Sequence, residues 1–258
     1  MTATTRAAPS RRRTRQERRL RFAVSESAGE VSACLLLPTR AHALLVLAHG
    51  AGADMNHPFM EALAERLAER RLASFRYQFP YTEAGRRAPS PGPLLRATVR
   101  AALAAGADAA PGLPVVAAGK SMGGRMTSLL AAEEEIAARA IVFFGFPLHA
   151  AGKPPSSERG EHLLAVARPL LFLQGTRDRL ADLAQLAPLL ARIGPRARLQ
   201  AIEGADHGFH VPKRSGRSDD EVLDELADAT RAFVDGLAAY ANAPSPTARA
   251  RSRDRSRR

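Results

Sequence analysis

The chain has 258 residues, 45% of them hydrophobic, one cysteine and a formal net charge of +12. That length suits one large domain with a well-buried core, and a single cysteine excludes a disulfide framework, so a cytoplasmic location is expected. Residues 1–20 carry +6 and residues 241–258 carry +5, which leaves +1 for the body between them and excludes a strongly basic nucleic-acid-binding domain.

In chain order, residues 1–20 read as a disordered basic tail. No apolar segment of the kind a signal peptide needs follows Arg11 and Arg12, and no run is long enough to span a membrane. Residues 21–24 and 31–37, separated by a polar stretch containing Gly29, predict a β-hairpin, with Cys34 as a small buried hydrophobe in its second strand. Residues 43–48 are wholly apolar, which implies a strand buried on both faces of a parallel sheet. The spacing of Phe59, Met60, Leu63, Leu67 and Leu72 predicts a helix over 57–71, followed by a strand over 73–79 that Pro80 stops.

Residues 81–93, rich in Pro, Gly and Arg, predict a mobile loop. Helices are expected over 94–105, 122–132, 183–193 and 219–240, and strands over 114–118, 140–144, 169–174 and 198–202. Residues 145–168 differ in texture and read as an excursion too short for a lid of several helices. Residues 241–258 form a second arginine-rich tail, expected to be disordered. The alternation of about eight strands with helices predicts one α/β domain over 21–240, a mostly parallel sheet with helices on both faces.

The chain's chemistry centres on Gly119-Lys120-Ser121-Met122-Gly123-Gly124, between an apolar strand and a helix. A G-x-S-x-G string in that setting is the nucleophile elbow of the α/β-hydrolase fold, whose flanking positions are glycine because side chains there would collide as strand and helix close. A phosphate-loop reading of Gly-Lys-Ser fails, because that loop needs glycine where this chain has Pro114. Loops at the carboxyl ends of parallel strands meet at one edge. Ser121, Asp178 and His207 fall in three such loops, in the order this fold uses for nucleophile, orienting acid and base.

The backbone N–H groups of Met122, at a helix start, and Ala51, after His49-Gly50, are candidates for an oxyanion hole. Asp182 rivals Asp178, which could itself cap the next helix, and His210 rivals His207. His49 reads as a structural brace. Asp206, His207 and His210 are too few for a persuasive metal site, and neither metal nor cofactor is expected. Lys120, Arg125 and Arg177 read as solvated charges near the cleft.

Five strings, from Leu47 to Asn56, Gly119 to Arg125, Phe144 to His149, Gln174 to Asp178 and Asp206 to Phe209, resemble the compact α/β-hydrolase group related to dienelactone hydrolases. That group includes small bacterial proteins and the hydrolase-like domain of the testis-expressed and non-specific lethal complex subunit family. The resemblance covers about residues 21–240 and implies a serine hydrolase with Ser121, Asp178 and His207 as triad, acting without cofactor on an ester or related acyl bond of a small molecule. Dienelactone hydrolases carry cysteine at the nucleophile, so lactone hydrolysis is not implied. A non-catalytic scaffold that contacts polyanions through its basic tails is the alternative.

Overall fold

The structure, a computed structural model, describes residues 15–241; residues 1–14 and 242–258, which hold most of the two expected tails, lie outside the described residues. Two long strands, β1 (Arg15–Ser25) and β2 (Gly29–Pro38), form the opening hairpin. Strands β3 (Ala43–Ala48), β4 (Leu72–Tyr77), β5 (Val115–Lys120), β6 (Ile141–Phe144), β7 (Leu170–Gly175) and β8 (Ala197–Ile202) complete one sheet. Its order is β1-β2-β4-β3-β5-β6-β7-β8, antiparallel where β2 meets β1 and β4 and parallel from β4 onward.

Alternate residues of the central strands feed two cores. Leu45, Leu47, Val116, Val142 and Phe144 pack beneath α1 (Pro58–Glu69) and the long closing helix α6 (Asp219–Ala241). Leu44, Val46, Ile141, Phe143 and Phe172 pack on the other face with α3 (Gly92–Ala109), α4 (Met122–Glu133) and α5 (Leu183–Ile193). Helix α3 sits close because Gly106 has no side chain: a Cβ there would lie 2.8 Å from Val46 Cγ2. Helix α6 starts in a capping box, with Ser218 Oγ accepting from the Glu221 N–H and the Glu221 carboxylate accepting from the Ser218 N–H. Arg70 at the end of α1 then pairs with Asp224 and Asp228 on α6.

Three expectations are corrected. Residues 15–20, assigned to the basic tail, are strand, with Arg15 opposite Pro38 and Leu20 opposite Ala33. They lack an apolar period because polar contacts hold them to their neighbours: Arg15 pairs with Glu65, the Glu17 carboxylate faces the buried Cys34 sulfur at 3.3 Å, and Arg19 donates to Asn56 at 2.9 Å. Charges of this kind are common on edge strands. Pro80, expected only to stop a strand, opens a short helix α2 (Pro80–Glu83) from its first position. The Glu83 carboxylate accepts from the Ser32 N–H and hydroxyl and from Arg21, each at 2.9 Å, so the first part of the expected mobile loop is fastened to β2.

The excursion over residues 145–168 starts at the strand ends, where Gly145 lies against Lys120 and His207, and its 3-10 turns over Glu158–Ala165 pack on α4 and α5. Gly160 meets α5 so closely that a Cβ would come within 2.4 Å of Leu189 Cδ2, and Glu161 pairs with Arg192. Among the described residues no helix is long and apolar enough to cross a membrane.

Because residues 15–20 pair with β2, a chain beginning at Arg21 will unfold at a lower temperature than one beginning at Arg15. A loss of about 1–3 kcal/mol is expected for half an edge strand, which corresponds to several degrees in Tm. Calorimetry of the two chains checks this.

Candidate active site

The elbow between β5 and α4 is built as tightly as its glycines require. A Cβ on Gly119 would lie 2.2 Å from the Gly124 nitrogen, and one on Gly123 would lie 2.6 Å from the carbonyl oxygens of both Ala48 and His49. Ser121 sits between them at φ 49°, ψ −115°, a left-handed conformation unusual for a residue with a side chain. Its N–H donates to Phe144 O at 3.2 Å and its carbonyl accepts from Arg125 N–H at 3.1 Å, so both neighbouring elements hold it there.

The three loop residues meet. Ser121 Oγ lies 2.8 Å from His207 Nε2, and His207 Nδ1 lies 2.7 Å from Asp178 Oδ2. Asp178, 5% exposed, also accepts from Gln174 Nε2 at 2.5 Å and from the Leu180 N–H at 2.8 Å. An ionised carboxylate only accepts, so Asp178 selects the tautomer with the proton on Nδ1, leaving Nε2 to accept from the serine hydroxyl. Asp182 is the N-cap of α5, accepting from Ala184 N–H at 2.8 Å, and lies outside this hydrogen-bond chain. His210 pairs instead with Asp219 on α6 at 2.7 Å, which raises its pKa.

Asp206 faces its own loop, its carboxylate accepting from the N–H groups of Gly208 at 2.8 Å and His210 at 3.0 Å. The three residues weighed as metal ligands therefore point to three different partners. No cluster of three metal-ligating side chains occurs among the described residues.

His49 is fully buried, and its Nε2 accepts from the Phe79 N–H at 3.3 Å while Nδ1 lies 2.8 Å from Gly50 O. Nε2 is therefore unprotonated and Nδ1–H donates, which ties the loop of residues 49–53 to the end of β4. Gly50 lies against the elbow, 3.5 Å from Ser121 Cβ to the position of its absent Cβ. Ala51 lines the same cavity as Ser121, and Met122 is the first residue of α4, where a helix leaves N–H groups without intrahelical acceptors. That cavity, of about 480 Å³, is walled by Phe59, Met60, Ala62, Phe209 and Leu223 from α1, α6 and the His207 loop. None of residues 145–168 borders it.

Two residues escaped the sequence reading. Gln174, at the end of an apolar strand, orients Asp178 and also accepts from the Phe146 N–H at 2.9 Å; an amide at the end of a wholly buried strand was its signal. Lys120 is not a solvated charge. Its ammonium donates to His207 O at 2.6 Å and lies 5.3 Å from the centre of the Phe209 ring, and burial pushes its pKa down to about 8.

Burial likewise lowers the pKa of His49 to about 4 from the usual 6.5. The unfolded chain takes up this proton below pH 6.5 and the folded protein does not. His49 stability is thus complete above pH 6.5 and is lost as the pH falls toward 4, by about 1.4 kcal/mol per pH unit. Urea unfolding of wild type and His49→Asn between pH 7 and pH 4.5 will show a shallower loss in the variant.

Residues 41–235 match the family described as alpha/beta hydrolase domain. Among solved structures, the dienelactone hydrolase from Anabaena variabilis superposes with a TM-score of 0.68 at 22% identity, over 84% of this chain and 96% of that one. An alpha-beta serine hydrolase homologue from Coxiella burnetii gives 0.65 at 20% identity, over 81% and 96%. A serine hydrolase without lid from Xanthomonas campestris gives 0.64 at 17% identity, over 89% and 98%. These are dienelactone-hydrolase-like folds, whereas the likeness to the testis-expressed and non-specific lethal complex proteins is a sequence resemblance alone. With its eight-stranded sheet, its elbow and a family match over most of its length, the chain belongs to the alpha/beta hydrolase domain family.

Proposed function

We propose that this protein is a serine hydrolase that cleaves an ester or related acyl bond through an acyl-serine intermediate. The observation that carries the reading is the unbroken hydrogen-bond chain from Ser121 through His207 to the buried Asp178, at 2.8 and 2.7 Å. A serine hydroxyl is a weak nucleophile at neutral pH and needs an adjacent base in this position. The esterases and hydrolases among its structural neighbours share the fold, which supports the same reading.

In the proposed reaction Ser121 Oγ bonds to the acyl carbon as its proton passes to His207 Nε2. Asp178 steadies the imidazolium, and the oxyanion accepts from the N–H groups of Met122 and Ala51. The bond to the leaving alcohol breaks, and that oxygen takes the proton from His207. Water then gives a proton to the same imidazole and attacks the acyl carbon; the acyl–Oγ bond breaks, Ser121 Oγ takes that proton from His207, and the acid is released. The apolar walls from Phe59, Met60 and Leu223 suit the acyl part of a small substrate. A cytoplasmic setting belongs to the same proposal, resting on the unpaired buried Cys34.

A scaffold role through the basic tails rests on segments outside the described residues, and a maintained chain from serine to buried carboxylate favours catalysis over it. Fluorophosphonate labelling together with hydrolysis of nitrophenyl esters tests the proposal. Ser121→Ala is expected to abolish labelling and lower turnover by about 10⁴-fold or more, and Asp178→Asn by about 10³- to 10⁴-fold. A Ser121→Ala protein that turns over esters at the wild-type rate overturns it.

A further inference from the structure

The base sits on a loop, and a loop must be held against the elbow for a 2.8 Å contact between Ser121 and His207 to persist. Much of the order in that loop is internal: Asp206 O accepts from Phe209 N–H, the Asp206 carboxylate caps Gly208 and His210, and Phe209 adopts φ 68°. Those contacts shape the loop without fastening it to β5. One side chain of β5 reaches across: Lys120, the residue before the nucleophile, donates from Nζ to the His207 carbonyl at 2.6 Å. The rings of Phe59 and Phe209, stacked on each other with centres 5.7 Å apart, lie 5.8 and 5.3 Å from the ammonium, within cation–π range. Gly145 closes the remaining side, where a Cβ would stand 3.3 Å from Nζ.

We propose, building on the hydrolase reading, that Lys120 is a positioning residue for the His207 base, tying the loop that carries the imidazole to the strand that carries the nucleophile. It acts through the His207 backbone and forms no bond to substrate. A lysine kept for stability alone would be a poor choice here. Its ammonium is desolvated, so its pKa falls from 10.5 to about 8 although Asp178 and Asp206 favour the charged form. Between those two pH values the unfolded chain binds the proton and the folded protein does not, so enclosing the charge opposes folding at neutral pH. The other groups around the ammonium are His207, whose carbonyl it binds, and His210, whose charge it opposes; His57 and Asp219 line the same cavity.

Two readouts on the full chain test this, the rate of Ser121 labelling by a fluorophosphonate from pH 6.5 to 9.5 and amide hydrogen exchange of residues 205–211. In Lys120→Met, labelling is expected to slow by about 10- to 100-fold, as a misplacement near 1 Å would produce, and exchange in 205–211 to quicken, with Tm equal to or above wild type. Lys120→Arg, which keeps a charged donor, should recover part of the labelling rate. It should also lack the fall expected of wild type as the pH rises through about 8. Wild-type labelling and exchange in Lys120→Met overturn the proposal, and so does a slowed variant whose Tm drops, which would make Lys120 a structural residue only. If wild type itself is not labelled, the hydrolase reading falls, and unchanged exchange in Lys120→Met then overturns the tether separately.

Discussion

Everything at the strand ends depends on one close approach, the crossing of β5 into α4 against the end of β3. Ser121 at φ 49° costs on the order of 1–3 kcal/mol of backbone strain, and such a conformation persists only where its surroundings leave no alternative. The surroundings are explicit. Gly119 lets the helix start fold back onto the strand, Gly123 lets it slide under the carbonyls of Ala48 and His49, and Phe144 O holds the Ser121 N–H from the neighbouring strand. With the helix docked in this way, the Ser121 side chain has one direction to point, toward the loop after β8.

The site is assembled from buried polar groups whose partners are strictly assigned. His49 is kept neutral by its burial and in one tautomer by the Phe79 N–H, Asp178 is held by Gln174 and the Leu180 N–H, and Lys120 is enclosed by aromatic rings. Each such group costs desolvation energy that a leucine in its place would not. The cost is met by the two cores beneath, where strands such as β3 and β7 are buried along their whole length. A rigid sheet carrying strained and desolvated residues at one edge is a common arrangement for a functional site. Here the 3-10 turns of Glu158–Ala165 pack aside on α4 and α5, and no residue of 145–168 lines the cavity beside Ser121.

Much of this was legible in the residues because parallel central strands write a simple signal. Residues 43–48 and 170–173 are continuous apolar runs, and they lie in β3 and β7 with the expected cover on both faces. Ser121, Asp178 and His207 could be picked out because loops after parallel strands must meet at one edge, whatever their distance in sequence. The edge of the sheet was less legible. Residues 15–20 are strand through charge contacts with α1, β2 and neighbouring loops, and a run of arginines has no period-two apolar pattern to announce it.

The sequence by itself determined the fold family, the elbow and the order of the three loop residues, since these follow from local sterics and from which runs are apolar. Only the tertiary structure shows which of Asp178 and Asp182, and which of His207 and His210, come together. Residues three or four positions apart differ in role through which distant element each one meets: Asp182 caps α5 and His210 meets α6, while Asp178 and His207 meet each other. Lys120 makes the same point about charge. As a letter in the chain it is a cation beside a serine, and its burial is set by Phe59, Phe209 and Gly145, which come from separate stretches of sequence. Desolvation and hydrogen-bond partnership are properties of the assembled neighbourhood, and no local pattern encodes them.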